Sequence, residues 1–86
     1  MITLQGRYQI SPSKRFTISA EPRHLPTGVF LTDLQAIQQV CDCNEGHCEI
    51  QVSTAHGTMQ GTLTERPGRR FHHRLFEGYV AFLPQA

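Results

Sequence analysis

"CEIQVSTAHGTMQGTLT", residues 48–64, decides how this chain folds. In its first half Cys48, Ile50 and Val52 alternate with Glu49, Gln51 and Ser53. A period of two sends successive side chains to opposite faces, so this run is a half-buried strand. "AHGT" (55–58) then supplies a short glycine-containing turn. Past the turn, Met59 and Leu63 share a face with the small Gly61, while Thr58, Gln60, Thr62 and Thr64 face water. The stretch predicts two antiparallel strands with one apolar and one polar side.

The pattern extends toward the C-terminus as a meander. "RPGR" (66–69) has Pro-Gly where a type II turn needs them. A strand is expected near 70–76, then a tight turn or a bulge at Glu77-Gly78, then a run from Tyr79 to Leu83 that Pro84 stops. Upstream, Leu34, Ile37 and Cys41 fall at i, i+3 and i+7, which predicts a helix from about Leu31 to Cys41. Thr32 or Asp33 is the expected cap of its first turn, and Asn44 and Gly46 are the places to turn the chain afterwards.

At the N-terminus Ile2, Leu4, Tyr8 and Ile10 alternate with polar residues, Gly6 filling the missing apolar position. "SPSK" (11–14) is a turn, and Phe16, Ile18 and Ala20 continue the alternation. The two runs predict a hairpin. Residues 21–29, with two prolines and a glycine, predict an irregular surface connection.

The fold expected is one α+β domain over residues 1–86. It is a mostly antiparallel sheet of five to six short strands, an N-terminal hairpin plus a C-terminal meander, with one helix packed on one face and a sheet that can curl toward a barrel. With 38% hydrophobic and 17% charged residues, the composition supports a core. No apolar run approaches the roughly 20 residues that span a bilayer, and "MITLQGRYQI" (1–10) alternates where a signal peptide would be continuously apolar. No membrane association is expected, and the location expected is cytoplasmic.

"CDCNEGHCEI" (41–50) packs three cysteines and a histidine together. Cys41 lies on the apolar stripe of the helix and Cys48 on the apolar face of the next strand, so both have a place in the core. That leaves Cys43 and His47 in the connecting turn. Tetrahedral zinc sites take pairs of ligands from separate segments, whereas here all four candidates crowd one loop as C-x-C-x3-H-C. A zinc-binding domain through the Cys41–Cys48 turn is therefore the third reading, and no metal ligands or cofactors are assigned. The C-x-C follows a helix C-terminus, where the dipole has the wrong sign to activate a thiol.

"ERPGRRFHHRLFEGY" (65–79) is the other stretch that looks functional. Arg70, His72 and Arg74 would line one face of a strand, with Arg66 and Arg69 in the turn before it and the aromatics Phe71, Phe76 and Tyr79 interleaved. Seven arginines stand against one lysine, and arginine is enriched at protein interfaces where lysine is depleted. Net charge is only +1, so the molecule as a whole steers weakly toward polyanions. Asp42, Glu45 and Glu49 form an acidic counterpart around the cysteine turn. If the two regions adjoin, their charges satisfy each other; if they lie apart, the domain is a dipole suited to docking.

No nucleophile elbow, phosphate-cradling glycine loop or H-E-x-x-H occurs, and no enzyme activity is expected. The leading expectation is a small non-catalytic protein-binding regulator, adaptor or inhibitor. It would dock on an acidic surface of a larger protein through Arg66, Arg69, Arg70, His72, Arg74 and Tyr79. The alternative is a nucleic-acid-binding module using the same strand, held by backbone charge and base stacking. Pairing of an edge strand between two copies leaves a homodimer open.

Overall fold

The computed structural model describes residues 1–21, 28–68, 70 and 73–83, with the backbone alone at 28–30. The two period-two runs become β3 (His47–Thr54) and β4 (Gly57–Glu65), paired antiparallel from His47↔Thr64 to Thr54↔Gly57. Cys48, Ile50, Val52, Met59 and Leu63 all lie in the core, on the face that the alternation assigned to them.

β5 (Leu75–Phe82) pairs antiparallel with β4, Met59 opposite Phe82 and Glu65 opposite Phe76. The strand thus begins at Leu75 rather than near 70, and it runs on through Glu77-Gly78 where a turn or bulge is expected; its offset against β4 is the same on both sides, although the ladder skips Gly78 and Tyr79. Gly78 serves close approach instead. A Cβ on it would sit 2.0 Å from the carbonyl oxygen of Thr62, and one on Gly61 would sit 2.2 Å from that of Tyr79. Both contacts are far inside van der Waals distance, so these glycines let the two backbones press together.

The N-terminal hairpin is not formed. β1 (Ile2–Thr3) pairs parallel with β3, Ile2 opposite Ile50, whereas β2 (Arg15–Ser19) pairs antiparallel with β5, Arg15 opposite Tyr79. The sheet order is β1-β3-β4-β5-β2, so the first two strands stand at opposite edges of a mixed sheet, which stays open and is not a barrel. Asp33 holds the start of the intervening segment against α1 instead of in the ladder. Its carboxylate accepts the backbone N–H groups of Gln5 and Gly6 at 2.8 Å each and the Tyr8 hydroxyl at 2.6 Å. Leu4 is nevertheless buried, and Tyr8 and Ile10 pack against the core. The N-terminal alternation reported burial correctly and strand pairing wrongly.

The helix α1 (Gly28–Cys43) starts before Leu31 and ends after Cys41. Asp33 therefore lies within it, buried, rather than capping it. Leu34, Ile37 and Cys41 form the expected stripe and share one core cluster with Phe16, Ile18, Ile50, Leu63 and Phe76. Neither helix end carries a charge that complements the dipole, so packing of this stripe holds the helix. At its C-terminus the Gly46 N–H donates to the Cys41 carbonyl at 2.9 Å, and Glu45 takes the left-handed conformation at φ 55°. Among the described residues, no helix is long and apolar enough to cross a membrane.

Candidate partner-docking face

The strands' outward residues make a polar surface. Along β4 it carries Gln60, Thr62 and Thr64, along β3 His47 and Glu49, and along β2 Arg15 and Thr17, all exposed. Ladder pairing arranges them in rows with neighbouring strands about 4.8 Å apart. Thr17, Glu77, Thr64 and His47 follow one another across the sheet in one row, and Arg15 faces Tyr79 in the next. Tyr79 is 67% exposed on an interior strand, the one large aromatic among these outward side chains.

Beside Tyr79 lies a shared ion pair. Arg15 from β2 bonds to Glu77 Oε2, and Arg66 from the end of β4 bonds to Oε1 at 3.2 Å. Both guanidinium groups remain more than half exposed, while the carboxylate between them is largely covered. A groove of about 470 Å³ runs along this cluster past Thr64, Pro67 and Tyr79. The arrangement offers arginine N–H donors and a phenol ring at one patch of surface.

Arg70 is exposed, and Arg69 and His72 lie outside the described residues. Arg74 was expected on the water-facing row but is only 6% exposed. Its guanidinium grips Glu65 through two bonds of 3.0 and 2.6 Å and reaches Asp42 on α1 at 2.7 Å. It also sits 5.2 Å from the centroid of the Phe76 ring. Two carboxylates at the helix end and the β4 end draw it inward, so the acidic and basic regions of the sequence do adjoin at this point. Bonds to Glu65, outweighing burial, raise the already high pKa of Arg74 and keep it charged.

Arg15 was not among the sequence candidates. Its alternation marked it as water-facing, but nothing local shows that β2 lies against β5. The cysteines lie where the apolar pattern puts them: Cys41 and Cys48 are buried and Cys43 is exposed. His47 is exposed, its Nδ1 3.3 Å from the Thr64 hydroxyl. Among the described residues no three His, Cys, Asp or Glu side chains come together as a metal site. No protein-family model, curated protein or solved structure matches this chain.

Proposed function

We propose that the chain is a small non-catalytic protein-binding module, a regulator, adaptor or inhibitor, that docks the sheet face around Tyr79 on an acidic surface of a larger protein. The supporting observation is Tyr79 itself, exposed at the middle of a polar sheet face with Arg15 opposite it in register. Tyrosine and arginine are enriched at the energetic centres of protein interfaces, tyrosine because it brings contact area at low entropic cost and arginine because it brings a pre-organised fork of donors. Arg66 and Arg70 extend the patch, and Arg69 and His72 join it as sequence candidates. Arg74 drops out of the docking set and ties α1 to the sheet.

Nucleic acid is the second reading. An aromatic ring on the open face of a sheet beside a guanidinium is how single-stranded bases are stacked and held. One feature favours protein: net charge is only +1, whereas nucleic-acid binding draws most of its affinity from neutralising phosphates.

The test is a tagged pull-down from native cells with and without nuclease, using wild type and Tyr79→Ala. A partner that survives nuclease and binds Tyr79→Ala about thirtyfold more weakly, roughly 2 kcal/mol, is the expected outcome. Capture that vanishes with nuclease, with affinity falling steeply as salt rises, selects the nucleic-acid reading. An unchanged affinity of Tyr79→Ala would remove this face.

A further inference from the structure

On the core side of the sheet, at the end where β3 turns into β4, lies a cleft of about 510 Å³, within the roughly 300–1,000 Å³ of small-molecule sites. Met59, 2% exposed, forms its floor. Tyr8, Ile10, Pro12, Ala55 and Phe82 make apolar walls, and Phe82 keeps 45% of its surface exposed there. The cleft is thus lined mainly by carbon, on the face opposite Tyr79.

Its charge is as one-sided as its polarity. Among the described residues no aspartate or glutamate lines it, and its cationic side chain is Lys14, the single lysine of the chain, with His56, Gln9, Ser11 and Thr54 as the other polar lining residues. Among the described residues Lys14 makes no ion pair; its ammonium lies 5.8 Å from the centroid of the Phe82 ring. The position also works against a lysine. Lys14 has φ 63°, a left-handed conformation that glycine or asparagine adopts more cheaply. Two backbone bonds impose it, Lys14 N–H to the Ser11 carbonyl at 2.8 Å and Val80 N–H to the Lys14 carbonyl at 2.9 Å. A lysine in a strained conformation, with no anionic partner among the described residues and leaning over an apolar cleft, is an arrangement that a bound anion would complete.

We propose that this cleft binds a small apolar monocarboxylate, its hydrocarbon tail against Met59, Ile10 and the Phe82 ring and its carboxylate on the Lys14 ammonium. The tail supplies affinity through burial and the charge-assisted bond supplies orientation. This site is independent of the docking face, and either can fail alone.

Sodium octanoate, below its micelle concentration, is the probe, followed by amide NMR shifts on the full chain. Saturable shifts at Lys14, Ala55–Gly57, Met59 and Phe82 are expected, with 1-octanol about tenfold weaker because it lacks the charge. Lys14→Gly removes the ammonium and relieves the backbone strain, so it should stay folded while losing about tenfold in octanoate affinity; Lys14→Arg should keep most of it. Absence of saturable shifts at these amides, equal binding of octanol and octanoate, or undiminished binding by Lys14→Gly each overturns the proposal.

Discussion

Asp33 shows how one side chain can decide where a segment goes. Its carboxylate accepts from Gln5, Gly6 and Tyr8, residues 25–28 positions away. Asp33→Ala would leave two backbone donors and a phenol without their charged acceptor, a loss of about 2–4 kcal/mol in urea unfolding. A loss under about 0.5 kcal/mol would mean that water replaces those bonds. In the sequence, "LTDLQ" (31–35) reads as a helix cap, because a cap and a long-range acceptor carry the same local signature. The buried thiols were more legible, since cysteine on an apolar stripe has a sufficient packing role. Burial pushes the Cys41 thiol from its ordinary 9.0 up to about 11 and raises Cys48 as well. At pH 8 a thiol reagent should therefore modify Cys43 promptly and the other two only as the protein unfolds. Between pH 9 and 11 the unfolded chain releases the Cys41 proton while the folded one retains it. Stability should then fall as pH rises through that window, and the denaturation midpoint should drop less in Cys41→Val.

At the scale of elements, the helix C-terminus holds a correctable strain. Glu45 is a β-carbon-bearing residue in the left-handed region, and it places a negative charge at the negative end of α1. Glu45→Gly relieves both and should stabilise the fold by about 0.5–1 kcal/mol, a melting temperature higher by roughly 2–8 °C. A lower melting temperature would show that the Glu45 side chain contributes something the backbone argument omits. Periodicity made most elements legible: β3, β4 and the helix stripe all follow from which residues avoid water. It said less about where strands stop, because burial and ladder bonding are separate events. Tyr8 and Ile10 turn inward without strand pairing, and Gly78, read as a bend, is instead a place where two strands touch.

The order of strands in the sheet was beyond the reach of local patterns, since β2 finds β5 across most of the chain. For the same reason Arg15 was missing from the candidate site, although Tyr79 and Arg66 were in it. Charge at this scale is partly settled internally, Arg15 and Arg66 on Glu77 and Arg74 on Glu65 and Asp42. The centre of the sheet, β3-β4-β5, is built from strands consecutive in sequence; both edges come from the opposite end of the chain. Synthesis runs in the other direction. A chain leaving the ribosome releases Phe16 and Ile18 early, yet the strand that pairs with theirs is the last of the described strands to emerge. Until then β4 also presents an open edge, a target for chaperones and for other nascent chains. The domain thus commits to its fold late, when Leu75–Phe82 slides between two strands that have been waiting for it.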